Sequence, residues 1–218
     1  LLMLAWKVAP ALATGNTVVL KPAETTSLTA LLFAELCEQA GIPDGVVNII
    51  TGDGTTGSLI VNHKDINKIA FTGSTQVGKL IQKSLAGRDV GLTLELGGKA
   101  ANIVYEDAAI DQAVEGVVNG IFFNQGHVCC AGSRLLLQES IHDEFITKLE
   151  KRMQTLRVGN PLDKNTDIGA VNSKEQLNKI EELVNEGVSD GGKIFQTECE
   201  LPGNGFWFKP TLFTDVQP

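Results

Sequence analysis

The sequence predicts an α/β fold: a doubly wound parallel sheet followed by part of a second α/β domain. Short runs rich in aliphatic and β-branched residues alternate with longer segments whose apolar residues recur at helical spacing. Such alternation is typical of βαβ units, whose strands pair in parallel. The composition is that of an ordinary globular protein, with 43% hydrophobic and 20% charged residues and a mean hydropathy of +0.06.

Four helices and four strands are predicted in the first half of the chain. The helices are 1–13, 28–40, a short one ending at 59–62, and 75–86, and the strands are 17–20, 46–50, 66–71 and 91–96. Small ligands bind such sheets at the carboxyl ends of the strands. We therefore expect Lys21 and the segments 52–54, 72–74 and 95–98 to gather along one edge.

The same rhythm continues in the second half. The predicted strands are 101–105, 135–138 and 206–213, and the predicted helices are 109–123, 141–156 and 173–187. Within the second of these helices, Phe145, Leu149 and Met153 have the spacing of a buried face. The pair Gly97-Gly98 is the predicted boundary between two domains, 1–98 and 99–218.

The charge and the cysteines limit the classes of partner and compartment. A net charge of −8 and a pI near 4.9 argue against nucleic acid or an anionic membrane as a partner. Four cysteines, two of them adjacent in sequence, do not form a disulfide framework. A reducing compartment, the cytoplasm, is therefore predicted.

The opening residues look only superficially like the core of a signal peptide. Lys7 and Pro10 interrupt the apolar run, and no basic segment precedes it, so a core helix is the better prediction. No stretch reaches the roughly 18 apolar residues that a membrane span needs. Because the chain begins at Leu1 rather than at a methionine, we expect it to be a piece of a longer protein.

A vicinal cysteine pair lies in a glycine-containing stretch between a predicted helix and a predicted strand. The stretch is 122–134, with the sequence FFNQGHVCCAGSR, and it contains Cys129 and Cys130. A thiol at such a junction can be exposed to a small molecule while its backbone is held still, as a nucleophile requires. Free cysteines are also frequently buried as small apolar residues. The stretch alone supports both interpretations equally.

Glu95 ends a strongly apolar predicted strand. Burial there would raise the pKa of its carboxyl group, which suits a general base near neutral pH. Alternatively, Lys99 or the amides of Gly97 and Gly98 satisfy the carboxylate. Neither interpretation is favoured by this segment alone.

A glycine-containing turn follows the third predicted strand and opens a helix. It consists of Gly73, Ser74, Thr75, Gln76, Val77 and Gly78. The amide groups and the positive end of the helix would favour a phosphate there. The turn lacks the second glycine of the G-x-G-x-x-G dinucleotide motif, and an ordinary strand-to-helix turn also needs a glycine.

Lys21 and Glu24 lie three residues apart after the first predicted strand. Glu24 as acceptor and Lys21 as donor could bind two hydroxyls of a ribose. Glu24 would then repel a 2′-phosphate and favour NAD over NADP. An exposed surface ion pair is the alternative.

His127 and Cys129 raise two weaker hypotheses. An extended backbone would place both side chains on one face, as in a Cys–His hydrolytic dyad. A metal site formed by His127, Cys129 and Cys130 is disfavoured, because three ligands within four residues give poor geometry and no second cluster exists. No metal is therefore predicted.

Two long motifs resemble the signatures of the NAD(P)-dependent aldehyde dehydrogenases. They are 94–99, with the sequence LELGGK, and 122–134, and Glu95 precedes Cys129 by 34 residues (129 − 95), as in that family. The resemblance extends to 6–13, 20–24 and 70–75 and covers essentially the whole chain. It is greatest to the retinal, betaine-aldehyde and aliphatic aldehyde group.

The resemblance implies specific roles. Cys129 would be the nucleophile and Glu95 the base that activates water. The cofactor would be NAD, with NADP possible, bound by Lys21, Glu24, Leu96 and the turn from Gly73 to Gly78. It further implies a dinucleotide-binding domain at 1–98, a catalytic thiol domain at 99–218, a small aldehyde as substrate, and a homodimer or homotetramer.

The sequence also departs from the pattern of the family it resembles. The family usually has glutamine at the position of His127. Its oxyanion-hole asparagine and the glutamate that binds the nicotinamide ribose fall outside 1–218, so these 218 residues alone are expected to be inactive or nearly so. Three alternatives remain: a CoA-acylating aldehyde dehydrogenase, a non-catalytic scaffold of the same fold, and the Cys–His hydrolase.

Overall fold

Helices and strands alternate through the first unit of the chain, Leu1–Gly97. The structure is a computed structural model that describes residues 1–216. The elements of this unit are α1 (Leu2–Ala13), β1 (Val18–Leu20), α2 (Ser27–Gln39), β2 (Val47–Ile49), α3 (Gly54–Asn62), β3 (Lys68–Gly73), α4 (Thr75–Leu85) and β4 (Gly91–Leu96). All eight predicted elements are present, with ends that differ from the prediction by a few residues.

The strands of the first unit pair in parallel, as predicted. β1 pairs with β2, and β3 pairs with β4 in a register that sets Thr72 opposite Glu95 and Gly73 opposite Leu96. One difference concerns continuity: among the described residues, the four strands form two separate two-stranded sheets. Each pair has its own apolar core, one around Val8 and the other around Ile81. The α/β class is confirmed, with the doubly wound sheet represented here by two parallel pairs.

The second unit begins at Gly98. Its elements are β5 (Ala101–Val104), α5 (Ile110–Phe122), β6 (Arg134–Leu137), α6 (His142–Met153), α7 (Lys174–Ser189), β7 (Lys193–Gln196) and β8 (Thr211–Thr214). β5 and β6 are parallel, whereas β7 and β8 form an antiparallel pair. β7 was not predicted. The last strand was predicted at 206–213 but begins only at Thr211, because Pro210 lacks the N–H that a ladder needs.

α6 supplies the centre of the second unit's core. Phe145, Leu149 and Met153 are 0%, 2% and 1% exposed, which confirms the predicted buried face. They pack in one cluster with valines of α5 and with Ile168. α5 is thereby fixed on this core, and the cysteine stretch follows directly from its end. No helix within residues 1–216 is long and apolar enough to cross a membrane.

Candidate active site

After α5 ends, the cysteine stretch begins with a turn of left-handed backbone conformation. Asn124, Gln125 and Gly126 all have left-handed backbone conformations, with φ of 49°, 55° and 74°. The Asn124 carbonyl oxygen accepts from the His127 N–H at 2.9 Å, and the Asn124 side-chain amide donates to the His127 carbonyl oxygen at 3.2 Å. We call these three residues the left-handed turn. The two hydrogen bonds of Asn124 fix the backbone of His127, which precedes Cys129 by two residues.

Both vicinal cysteines are exposed, so neither fills the core of this unit. The buried residue of the stretch is the neighbouring Ala131, 6% exposed, whose N–H donates to the Val128 carbonyl oxygen at 3.0 Å. Within residues 1–216, no backbone or side-chain acceptor takes the Cys129 N–H. Cys129 therefore combines an accessible thiol with an available amide of its own.

Contacts with β5 and with the two residues before it fix the other end of the stretch. The Arg134 guanidinium donates to the Lys99 carbonyl oxygen, from Nε at 3.2 Å and also from Nη2. The Arg134 N–H donates to the Ala100 carbonyl oxygen at 3.2 Å. Gly132 packs on Asn102 so closely that a Cβ at Gly132 would lie 3.0 Å from the Asn102 Cβ. The cysteines thus lie on a short segment with both ends tied to the second unit.

Glu95 lies near the carboxyl end of β4, and its side chain is exposed. The strand alternates, with Leu92, Leu94 and Leu96 half-buried on one face and Glu95 on the other. The prediction of a buried carboxylate is therefore wrong for the described chain: Glu95 belongs to the solvent-facing set of an alternating strand.

The turn from Gly73 to Gly78 joins β3 to α4. The Ser74 hydroxyl accepts from the Val77 N–H at 3.2 Å and caps the helix. The N–H groups of Thr75 and Gln76, in the exposed first turn, have no partner within their own helix. Gly78 is buried, and a Cβ there would lie 2.6 Å from the Leu96 Cδ2. Gly78 thus permits close packing of α4 on β4, while the residues before it offer donors to a ligand.

Lys21 and Glu24 lie together, as predicted. The Lys21 ammonium donates to the Pro22 carbonyl oxygen at 2.8 Å, to the Gly52 carbonyl oxygen at 3.0 Å and to the Glu24 Oε1 at 3.3 Å. These three contacts use all three of its donors. The hydrogen bond from the backbone N–H of Glu24 lowers the pKa of the Glu24 carboxyl, and Lys21 lowers this pKa further. Glu24 is thus held ionised and remains 58% exposed as an acceptor.

The expected gathering of strand ends occurs in two parts. Lys21 contacts Gly52, and Thr72 and Gly73 lie opposite Glu95 and Leu96 in the ladder of β3 and β4. A residue that sequence reasoning missed joins the second group: Lys7 of α1 donates to the Thr72 Oγ1 at 2.7 Å. Nothing in the pattern of α1 distinguished Lys7 from a surface lysine.

The two weaker hypotheses gain no support. His127 is exposed, and the described residues show no hydrogen bond between its imidazole and the Cys129 thiol. Across residues 1–216 there is no group of three or more His, Cys, Asp or Glu side chains placed to hold a metal ion.

The described residues thus combine parallel α/β units, an exposed cysteine on a fixed loop, a helix whose first turn has free N–H groups and, at the end of another strand, a carboxylate paired with a lysine. The sequence profile of the aldehyde dehydrogenase family matches residues 1–218, and the chain belongs to that family. The resemblance drawn from the two motifs is thereby confirmed.

Individual relatives are similar over the whole chain. Human retinal dehydrogenase 2 is 51% identical over an alignment 222 residues long, which covers 99% of this chain and 42% of that protein. The structure of a Bacillus cereus aldehyde dehydrogenase in complex with NAD⁺ matches with a TM-score of 0.94 and 42% identity, covering 100% of this chain and 44% of that one. A betaine aldehyde dehydrogenase from Staphylococcus aureus matches with a TM-score of 0.95 and 39% identity, covering 99% of this chain and 45% of that one. The chain spans 24% to 42% of the length of the first curated relatives it matches.

Proposed function

We propose that the protein oxidises an aldehyde to a carboxylic acid through a thioester on Cys129, with NAD as the hydride acceptor. One observation supports this proposal above the others. Cys129 presents an exposed thiol next to its own unpaired N–H, on a segment tied down at both ends. A nucleophile with an adjacent donor is what addition to a carbonyl requires, since the oxygen becomes an anion when the thiolate adds.

The chemistry assigned to Cys129 proceeds in two halves. Its thiolate forms an S–C bond to the aldehyde carbon, giving a thiohemiacetal whose oxygen the Cys129 N–H can stabilise. Loss of hydride from that carbon leaves a thioester. Water, deprotonated by Glu95, then attacks the thioester, the C–S bond breaks, and the acid and the free thiolate result. An exposed Glu95 can accept that proton, and its exposed position supports access of water.

Residues of the first unit would hold the dinucleotide. The N–H groups of Thr75 and Gln76 begin a helix of 11 residues and suit a phosphate. The ionised Glu24 suits the hydroxyls of a ribose, and its charge would repel a 2′-phosphate, which supports NAD over NADP. Since the three donors of Lys21 are in use, its part is to hold Glu24 or to exchange one contact for the ribose.

Substrate, assembly and compartment are also part of the proposal. The relatives named for retinal and betaine aldehyde support small aldehydes, apolar or cationic, as the substrate class. The relatives named cytosolic 10-formyltetrahydrofolate dehydrogenase support the cytoplasm. We expect a homodimer or homotetramer of the full-length protein, and a monomer in light scattering after size exclusion would contradict this.

The test is turnover by the full-length protein carrying this sequence. Apolar, cationic and short aliphatic aldehydes are supplied with NAD, and NADH is followed by absorbance. Cys129→Ala is expected to lose at least about 10³-fold in kcat because the nucleophile is gone, whereas the matched control Cys130→Ala stays within about threefold. Full activity of Cys129→Ala, or acyl-CoA as the product when CoA is added, would contradict the proposal.

A further inference from the structure

Gln125 has a backbone conformation that its residue type does not favour. It is the middle residue of the left-handed turn, with φ of 55°. Gly126 adopts such angles at no steric cost, and asparagine is among the side chains that tolerate them, so Asn124 is also accommodated. Glutamine has a Cβ, unlike glycine, and it is not among the residues enriched in the left-handed region, as asparagine is. Left-handed backbone at such a residue persists where the surrounding structure holds it.

The side chain of Gln125 supplies that hold. When the oxygen and nitrogen of its amide are assigned from the donors and acceptors around them, the oxygen accepts from the Gly169 N–H at 2.9 Å and the nitrogen donates to the Asn124 carbonyl oxygen at 3.1 Å. Gly169 is buried, so its N–H needs an acceptor from the protein. The fit is tight: a Cβ at Gly169 would lie 3.0 Å from the end of the Gln125 amide.

Gly169 belongs to a segment that is itself fixed. Its neighbour Ile168 is 4% exposed and lies in the core of the second unit. The Ile168 N–H donates to the Arg157 carbonyl oxygen at 3.0 Å, and the Ile168 carbonyl oxygen accepts from the Gly159 N–H at 3.0 Å. Gln125 therefore connects the left-handed turn to a part of the core that lies more than thirty residues further along the chain.

We propose that Gln125 is a positioning residue for Cys129: its amide fastens the left-handed turn to Gly169 and so fixes where the thiol lies. The role rests on the proposed function of Cys129 as the nucleophile. Only His127 and Val128 separate the turn from Cys129, so a change in the backbone angles of the turn displaces the thiol directly. A displacement of about 1 Å can lower the rate of a positioned reaction on the order of 100-fold.

The test compares Gln125→Met with Gln138→Met in the full-length protein. Methionine keeps the length of the side chain and removes both hydrogen bonds. Gln138 is a matched control, half-buried in the same unit, whose side-chain oxygen accepts one backbone N–H, that of Glu106, at 2.9 Å. Gln125→Met is expected to lower kcat about 10- to 100-fold, with KM within about threefold. Hydrogen exchange of the peptide 122–134 is expected to quicken, because the turn opens locally. Gln138→Met leaves kcat and that exchange unchanged.

Gly169→Ala changes the other partner in the contact between Gln125 and Gly169. Its φ is not left-handed, so alanine is tolerated in the backbone, while the new methyl group displaces the Gln125 amide. It is expected to move kcat and the exchange of 122–134 in the same direction as Gln125→Met. Unchanged kcat and exchange in Gln125→Met, with an active wild type, would overturn the positioning role alone. A wild type that turns over no aldehyde would overturn the proposed function and the positioning role together.

Discussion

Among single residues, Glu24 is the one proposed to decide the choice of cofactor. Its carboxyl pKa lies below the ordinary value of 4.5, because its own N–H and Lys21 stabilise the charged form. A lowered pKa means that the ionised acceptor is fully present above about pH 4.5 and is lost only as the pH falls through the lowered value. If Glu24 binds the ribose as proposed, we expect that binding to be independent of pH across the neutral range.

Glu24→Gln is predicted to shift preference toward NADP. The substitution keeps an acceptor oxygen and removes the charge that would repel a 2′-phosphate. The ratio of kcat/KM for NAD to that for NADP should fall about tenfold or more, since hydrogen bonds to charged groups are the stronger ones. Initial rates with each cofactor measure it. Glu38→Gln, an exposed glutamate of α2, should leave the ratio unchanged, and an unchanged ratio in Glu24→Gln would remove Glu24 from the cofactor site.

Single residues differed in how well the sequence predicted them. The placement of Cys129 on a loop between α5 and β6 was predictable, because a helical pattern, glycines and an apolar run bracket it. The exposure of Glu95 was not predictable, because the strongly apolar character of its strand indicated burial up to the strand's end, whereas Glu95 lies on the exposed face of an alternating strand. Gln125 could not be selected at all, since its partner Gly169 lies in a loop that no local pattern relates to the cysteines.

Among elements, the packing of α4 on β4 depends on one glycine. Both methyl carbons of Leu96 would lie within 2.9 Å of a Cβ at Gly78. A 120° rotation about χ2 of Leu96 places the Cγ hydrogen in one of the two methyl positions but leaves a methyl in the other, so one close contact remains, and the Leu96 Cγ itself would lie 3.3 Å away. α4, whose first turn is proposed to bind a phosphate, is therefore held against β4 at this point.

Gly78→Ala is predicted to destabilise the protein by about 1–3 kcal/mol, the usual cost of overpacking. The midpoint of thermal unfolding should fall relative to the wild type. When Gly78→Ala is introduced into a Leu96→Ala variant, which has room for the new methyl group, the fall relative to Leu96→Ala alone should be smaller. Gly116→Ala is the matched control: it lies within α5, a Cβ there would meet nothing within 4 Å, and it should gain about 0.5–1 kcal/mol from helix propensity. Equal midpoints for Gly78→Ala and wild type would show that the contact does not limit the packing.

Strong periodicity explains which elements were predictable. α6 and its buried face followed from apolar residues at helical spacing. β7 was not predictable, because it has only four residues, Lys193–Gln196, and pairs with β8 across a long irregular connection. Hydrogen-bonded sheet order is equally non-local: the pattern predicted parallel strands but not their division into two pairs.

At the scale of the molecule, the chain consists of two units that divide between Gly97 and Gly98. Each has its own buried clusters, and the proposed roles divide in the same way: Glu24, the turn from Gly73 to Gly78 and Glu95 lie in the first unit, and Cys129 in the second. The proposed nucleophile and base therefore belong to different units, with the Gly97-Gly98 junction, β5 and α5 between them in sequence.

A covalent intermediate on Cys129 is the most direct test of that assignment. The full-length Glu95→Gln variant is mixed with NAD and an aldehyde substrate, quenched in acid and digested, and the peptide bearing Cys129 is weighed by mass spectrometry. Hydrolysis of the thioester should slow by about 10²-fold or more without the base, so the acyl mass should accumulate on Cys129, and it should persist when Cys130→Ala is added. Acyl mass on Cys130, or turnover by the wild type with no acyl mass on Cys129 in the variant, would contradict the account.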